Sequence, residues 1–228
     1  MSNKLFDLET RIPITESIVA NTDVARQFDL SARTSMRFPM ERIANLLEPY
    51  CKDDVKILNL GSQTGLLSFL IGGQYSNVQI FGVEENEHMV EIAEENMMFA
   101  TLARSPARVE FQTGKLDNLA VEDNEADIVL SYLPLHRISN PVKFFQECNR
   151  VCKDDGFVFV FDLARDADEG VISFILQYVS EGHDEFMDSM KASYTEAEVA
   201  DILKQSGLEH WVMKKDSINL VITSKDVF

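Results

Sequence analysis

The chain has 228 residues, of which 45% are apolar, and this suits one sizeable α/β domain better than two full domains. Its net charge of −17 argues against nucleic acid and against an anionic membrane surface as partners, because both require a basic face. We therefore expect neither partner.

The sequence also lacks features typical of exported, membrane-spanning or metal-binding proteins. Residues 1–11 mix charges without an apolar core, and the longest apolar run, residues 66–71, is too short to cross a bilayer. The three cysteines, Cys51, Cys148 and Cys152, are an odd number, so we expect reduced, buried thiols. No CxxC or HxxxH spacing supplies metal ligands. These features favour a cytoplasmic protein without a metal.

The first 38 residues are predicted to form a helical lead-in that acts as a lid. A single domain is then expected over residues 39–228, with a helical insert at about residues 166–190. Four residues just before the domain are expected to cover the ligand crevice: Arg33, Met36, Arg37 and Phe38.

Strands and helices are predicted to alternate through the next part of the chain. The predicted strands are residues 55–60, 78–83, 108–113, 126–131 and 157–161. The predicted helices begin after residue 65, at residue 87 and at Pro141. This alternation predicts a doubly wound, parallel sheet that is buried on both faces.

The last part of the chain departs from this alternation. Thr195 and Glu198 form a capping box that predicts a helix over residues 195–205. Two strands, at about residues 210–215 and 218–224, are separated by a tight polar connection, which predicts an antiparallel hairpin.

The most informative stretch is the turn after the first strand. It begins at Gly61 and ends at Gly65, where a helix follows at once. A P-loop and a dinucleotide fingerprint both fail here, because Gln63 and Leu66 stand where these motifs need glycine. Glu84 ends the next strand, and a carboxylate there can accept both hydroxyls of an adenosine ribose.

Several segments in a fixed order resemble the class I S-adenosylmethionine-dependent methyltransferases, in particular the small-molecule branch of the methyltransferase-11 type. The resemblance runs from about residue 38 to the C-terminus. It is carried by residues 57–65 (ILNLGSQTG), 82–84 (GVE), 126–129 (ADIV), 135–138 (LHRI) and 144–156. It implies a mostly parallel, seven-stranded, Rossmann-like sheet whose last strand is antiparallel.

The resemblance also implies roles for individual residues. Gly61, Ser62 and Gly65 would bring the backbone against the methionine moiety, Glu84 would hold the ribose, and Leu116 would offer its backbone N–H to the adenine. Ser131 and Tyr132 would line the methyl-transfer site. The full set expected around the cofactor is Asn59, Gly61, Ser62, Gly65, Glu84, Glu85, Lys115, Leu116 and Ser131.

The implied reaction is transfer of a methyl group from S-adenosylmethionine to a small-molecule acceptor, leaving S-adenosylhomocysteine. This chemistry needs mainly alignment of the acceptor and exclusion of water. The candidate catalytic residues are His136, which is titratable near neutral pH and follows the fourth strand, and Tyr132.

Three positions depart from the family pattern. Asn59 replaces an acid, Gln63 replaces the middle glycine of the turn, and Lys115 replaces an acid that can accept from adenine. They motivate an alternative, a methyltransferase-like protein that has lost catalysis and serves as a binding or regulatory partner. A nicotinamide-dependent oxidoreductase is disfavoured by the missing glycines.

Overall fold

A computed structural model describes residues 5–14, 19–52, 54–102, 108–177 and 182–226. Within them, seven strands form one sheet in the order β3-β2-β1-β4-β5-β7-β6. Strands β1 to β5 pair in parallel, and β7 is antiparallel to both β5 and β6. The strands are β1 (Val55–Leu60), β2 (Val78–Glu84), β3 (Arg108–Thr113), β4 (Ala126–Tyr132), β5 (Cys152–Leu163), β6 (Val212–Asp216) and β7 (Asn219–Thr223). The predicted fold class is confirmed.

Helices connect the parallel strands and cover both faces of the sheet. They are α1 (Thr22–Ser35), α2 (Arg37–Leu46), α3 (Leu66–Gln74), α4 (Glu87–Leu102), α5 (Pro141–Val151), α6 (Glu169–Leu176), α7 (His183–Ala192) and α8 (Glu196–Gln205). Two short 3-10 helices lie at Glu48–Tyr50 and Leu135–Arg137. None of the described helices is both long and apolar enough to cross a membrane.

The central strands are apolar on both sides because each side is covered. Val129 and Leu130 on β4 are fully buried, and they belong to two different core clusters. The first cluster includes Phe144 and Phe145 of α5, and the second includes Ile71 of α3. Burial on both faces explains the continuous apolar runs that mark these strands in the sequence.

The fifth strand begins five residues earlier than predicted. Cys152 pairs with Ala126, and the register then shifts before Ile128 pairs with Phe157. A Cβ at Gly156 would lie 2.7 Å from the carbonyl oxygen of Asp127, so only glycine fits this close approach. The three cysteines are buried and free, as expected.

The first two helices pack on the other helices rather than over an open crevice. Arg33 on α1 donates to Asp29, and Asn96 of α4 donates to the same Asp29 carboxylate, which fastens α1 to α4. Arg37 pairs with Glu41, and the Phe38 side chain is 77% exposed. Arg33, Arg37 and Phe38 therefore do not line the crevice; Met40, further along α2, does.

Candidate active site

The turn between β1 and α3 holds three residues in the left-handed region: Gly61 at φ 70°, Gln63 at φ 52° and Gly65 at φ 80°. Glycine adopts this region without strain, whereas a side chain there costs about 1–3 kcal/mol. A Cβ on Gly65 would also lie 2.5 Å from the ring of Phe111. The two glycines are thus required by both backbone angle and space, and Gln63 is the strained member.

Unpaired polar atoms are concentrated at this turn. Among the described residues, four buried side-chain atoms lack a hydrogen-bond partner, and three of them are Asn59 Oδ1, Ser62 Oγ and Thr64 Oγ1. All three residues line one small crevice at the carboxyl end of β1. Because buried polar groups are nearly always satisfied, such a cluster points to a ligand or ordered water.

Glu84 is held in place by the backbone of two neighbouring segments. One carboxylate oxygen accepts from the N–H of Gln63 and the other from the N–H of Asn86, each at 3.0 Å. Burial raises the pKa of Glu84, and these backbone hydrogen bonds oppose part of that rise. Each oxygen keeps lone pairs for further donors, so the carboxylate is oriented and still able to bind hydroxyl groups.

The Gln63 side chain occupies the space next to this carboxylate. Its Nε2 lies 3.5 Å from the carbonyl oxygen of Tyr132, across the ends of β1 and β4. The remaining crevice has a volume of about 10 Å³, about enough for one water molecule. The Gln63 backbone therefore supports Glu84, while its side chain reaches toward Tyr132 at the edge of the crevice.

A second polar cluster lies at the carboxyl ends of β4 and β5. His136 Nδ1 is 2.7 Å from Asp162 Oδ1, and both side chains are buried. Nε2 of His136 accepts from Nε of Arg137 at 3.2 Å. An arginine N–H can only donate, so in this arrangement Nε2 is the acceptor and Nδ1 is the ring nitrogen that donates to Asp162.

Part of the chain matches a known protein family. Residues 58–160 match a family model described as a methyltransferase domain. Together with the fold, this match supports a class I S-adenosylmethionine-dependent methyltransferase family. Its cofactor class is therefore S-adenosylmethionine, as predicted.

Individual relatives of this methyltransferase are distant. A malonyl-[acyl-carrier protein] O-methyltransferase of Geobacter sulfurreducens is 29% identical over 142 residues, covering 62% of this chain and 50% of the relative. A ribosomal protein L11 methyltransferase of Ruminiclostridium cellulolyticum is 27% identical over 119 residues, covering 52% of this chain and 35% of the relative. The matched region thus spans between about a third and a half of the length of these relatives.

The fold is shared over nearly the whole chain. A Methanococcus maripaludis protein, solved as a candidate S-adenosylmethionine-dependent methyltransferase, superposes with a TM-score of 0.75 at 19% identity, covering 95% of this chain and 100% of that one. A SAM-dependent methyltransferase of Aquifex aeolicus gives 0.63 at 18% identity, covering 90% and 99%.

The polar groups of the methyltransferase site match the cofactor in chemistry, whereas the free volume of the crevice is too small to hold it. Glu84, the two glycines and the unpaired atoms of Asn59 and Ser62 match an adenosine and an amino-acid group in chemistry. Drug-sized ligands occupy pockets of about 300–1,000 Å³, far more than the present crevice. The residues therefore fit the cofactor once the Gln63 side chain moves aside.

The groups that were predicted to bind adenine already interact with another residue of the protein. The backbone N–H of Leu116 donates to Glu85 at 3.1 Å. Lys115 is 72% exposed, with its Nζ 3.8 Å from the same carboxylate. The Leu116 N–H that was expected to bind adenine is therefore hydrogen-bonded to Glu85, and Lys115 points to solvent.

Ser131 does not line the methyl-transfer site. Its side chain is fully buried, and the hydroxyl donates to the carbonyl oxygen of Leu60 at 3.0 Å. It therefore joins β4 to β1 beneath the crevice, and its side chain is not among those that line the crevice. Tyr132, the next residue, does line the crevice.

Tyr132 is a poor base in this position. Burial, and then the nearby Asp162 carboxylate, raise the pKa of its phenol, so it stays protonated at neutral pH. Asp162 and Arg137, which define the surroundings of both Tyr132 and His136, were missed from the sequence. The available signal was the acid Asp162 directly after the apolar run of residues 157–161.

Proposed function

We propose that this protein transfers a methyl group from S-adenosylmethionine to a small-molecule acceptor. The observation that carries the proposal is the Glu84 carboxylate, oriented by two backbone N–H groups beside a glycine turn that opens a helix. The malonyl-[acyl-carrier protein] relative, whose acceptor is a small acyl group on a carrier, supports a small acceptor. The ribosomal-protein relative is the reason to test protein acceptors as well.

Within this proposal, the residues have distinct roles. Glu84 accepts from the ribose hydroxyls, and the backbone at Gly61 and Gly65 allows close approach of the amino-acid part. When bound, the cofactor supplies an electrophilic methyl group on a sulfonium. The crevice walls, including Met40 and Tyr132, exclude water from the space between donor and acceptor.

His136 is the proposed proton acceptor for an acceptor that must lose one. Asp162 holds the ring through Nδ1, so only Nε2 can take a proton. In the structure Arg137 donates to this nitrogen. Use of His136 as a base therefore requires Arg137 to release it.

The N-terminal helices are proposed to act as the lid, through Met40 of α2 rather than through Arg33, Arg37 or Phe38. Met40 of α2 lines the crevice, and Asn96 of α4 donates to the carbonyl oxygen of Thr64 in the turn. A small displacement of α2 would widen the crevice beside Gln63.

The proposed function is tested by calorimetric titration with S-adenosylmethionine and S-adenosylhomocysteine. We expect micromolar to sub-millimolar binding, and absence of binding at millimolar ligand would overturn the proposal. Acceptors are then sought by incubating the protein with radiolabelled donor and a cell extract divided by ultrafiltration. Label in the small-molecule fraction or on an acyl-carrier protein is expected; label confined to other proteins would reject the acceptor class.

The alternative, a non-catalytic binding protein, is favoured by one observation, the small volume of the crevice that Gln63 helps to line. It predicts that the purified protein carries no adenosine ligand and binds none, while it co-purifies with a partner protein in stoichiometric amount. Native mass spectrometry of the purified protein separates the two functions, because a bound nucleoside adds its own mass.

A further inference from the structure

The Asn96 side chain of α4 joins helix α1 to the turn between β1 and α3. Its Nδ2 donates to Oδ1 of Asp29 on α1 and to the carbonyl oxygen of Thr64 in the turn, each at 3.0 Å. Its Oδ1 accepts from Nη2 of Arg33 at 2.8 Å. A carboxylate and a carbonyl oxygen accept whereas a guanidinium donates, so only this orientation of the amide satisfies all three contacts.

The peptide group between Thr64 and Gly65 is held from both sides. Asn96 donates to its carbonyl oxygen, and its N–H, on Gly65, donates to the carbonyl oxygen of Ser62 at 2.9 Å. A peptide group is planar, so these two contacts fix the orientation of the whole unit. Ser62 and Thr64 line the crevice, and each has a buried hydroxyl group to which no described residue is hydrogen-bonded. Asn96 thus helps to determine how the turn presents these hydroxyl groups.

Asn86 makes a second connection, on the ribose side of the expected cofactor site. Its Nδ2 donates to the carbonyl oxygen of Val19, just before α1, at 2.8 Å. Its backbone N–H donates to the Glu84 carboxylate at 3.0 Å. The segment that contains α1 is therefore linked to both parts of the site, to the turn through Asn96 and to the ribose carboxylate through Asn86.

The connection through Asn96 is shielded from water at both ends. The exposed fraction is 4% for Asp29 and 1% for Thr64, and the loss of a donor to a buried acceptor is costly. The ion pair of Arg26 with Glu95 also joins α1 to α4, but at the surface, with side chains 48% and 37% exposed. Exposed ion pairs contribute little, and among the described residues this pair contacts none of the turn. The two contacts therefore form a matched pair for experiment.

We propose that Asn96 is a positioning residue that couples the docking of α1 to the shape of the turn, so that α1 controls cofactor affinity. The inference rests on the proposed function and concerns regulation of the same site. Coupling between two equilibria is reciprocal. If docked α1 favours the bound cofactor, the bound cofactor stabilises docked α1 by the same factor.

Cofactor affinity is measured by calorimetry with S-adenosylhomocysteine in a double-mutant cycle. Asn96→Ala is expected to weaken binding about tenfold and Asp29→Ala about three- to fivefold. The double variant should bind no more weakly than Asn96→Ala, because both changes interrupt one route. Glu95→Gln, the surface control, should stay within about twofold of the unmodified protein. Unchanged affinity in Asn96→Ala, or additive losses in the double variant, would overturn the proposal.

The exchange variant Asp29→Asn/Asn96→Asp separates positioning of the turn from stability. In it the new amide on α1 can donate to the new carboxylate on α4, and Arg33 keeps a carboxylate partner. The carbonyl oxygen of Thr64, however, faces an oxygen that cannot donate. We expect thermal stability near that of the unmodified protein and cofactor affinity as low as in Asn96→Ala. Full recovery of affinity in this variant would overturn the proposal.

Hydrogen exchange of α1 tests the reciprocal effect. S-adenosylhomocysteine is expected to slow exchange in peptides covering Thr22–Ser35 of the unmodified protein and of Glu95→Gln. The slowing should be absent from Asn96→Ala and from the exchange variant under saturating ligand. Equal slowing in the unmodified protein and the exchange variant would mean that Asn96 has a structural role alone and would overturn the proposal.

Exchange without ligand keeps this inference separate from the proposed function. In ligand-free protein, Asp29→Ala is expected to speed exchange in a peptide covering residues 61–65, and Glu95→Gln is not. Unchanged exchange of this peptide in Asp29→Ala would overturn the coupling whether or not the cofactor binds. If S-adenosylhomocysteine does not bind the unmodified protein while the turn responds to Asp29→Ala, the proposed function is rejected and the coupling of α1 to the turn stands.

Discussion

The ring of His136 donates from Nδ1 to Asp162 over 2.7 Å, and both side chains are buried where β4 and β5 end. Asp162 accepts two further hydrogen bonds, from the backbone N–H groups of His136 and Leu163. These three donors orient the Asp162 carboxylate, and its contact with Nδ1 fixes the tautomer of the histidine. Of the two ring nitrogens of His136, Nε2 is therefore the hydrogen-bond acceptor.

Asp162→Asn is therefore expected to disturb His136 without disturbing cofactor binding. The neutral amide no longer selects the Nδ1–H tautomer, so we expect methyl transfer to fall about 100-fold, the low end of general-base contributions. Long-range ¹H–¹⁵N correlation spectra of the imidazole should change from one tautomer to a mixture. A purely structural role would instead lower thermal stability and leave the imidazole spectrum and kcat of the folded protein unchanged.

Gln63→Gly is expected to tighten S-adenosylmethionine binding. The cofactor must displace the Gln63 side chain, and the cost of reordering one flexible side chain is about 0.5–1.5 kcal/mol, or roughly two- to tenfold in Kd. Gln63→Ala is the matched control, because it removes the amide but keeps a Cβ at a φ of 52°. Calorimetry should show tighter binding in both variants. Weaker binding in both would mean that the amide contacts the cofactor.

Gln63→Gly and Gln63→Ala should differ in stability. Glycine relieves left-handed strain of about 1 kcal/mol but adds about 0.5–1 kcal/mol of unfolded-state entropy, so the net change in the free energy of unfolding is small. Alanine retains the strain. In urea unfolding, the free energy of unfolding of Gln63→Gly is expected to equal or exceed that of Gln63→Ala. The reverse order would contradict the strain at this position.

Much of the fold could be predicted because its signals are local. The capping box of Thr195 and Glu198 is present as predicted at the start of α8. The glycines of the turn mark the end of β1 because their backbone angles are unavailable to most residues. The early start of β5 could not be predicted, since it depends on how closely Gly156 approaches a backbone oxygen of the neighbouring strand.

The candidate site also contains residues that could be predicted from the sequence and residues that could not. Glu84 was predictable from its place after a buried strand, and the structure adds that backbone N–H groups orient it. The contact between Arg11 and His136 joins residues 125 positions apart, so no sequence pattern announces it. The position of Ser131 beneath the crevice has a related cause: residues in a strand alternate between faces, and its neighbour Tyr132 is the one that lines the crevice.

Ser131→Ala is expected to lower stability and leave the cofactor site intact. The variant loses the hydrogen bond to Leu60, and such a bond contributes about 0.5–1.5 kcal/mol to the free energy of unfolding. S-adenosylmethionine affinity should stay within about twofold. Ser139→Ala, at an exposed position, serves as the control for stability. A large loss of affinity in Ser131→Ala would show that this residue contacts the cofactor.

Cofactor affinity is expected to depend on pH through Glu84. The ionised carboxylate binds the ribose hydroxyls, and burial raises its pKa, so affinity is full at neutral pH and falls as the pH decreases through this raised value. The fall should begin at a higher pH than for an ordinary glutamate, near 4.3. Calorimetry between pH 5 and 8 measures it. Glu84→Gln should bind about 10–100-fold more weakly at pH 7, with a flatter profile. The exposed control Glu87→Gln should retain both affinity and profile; an unchanged Kd in Glu84→Gln would refute the ribose assignment.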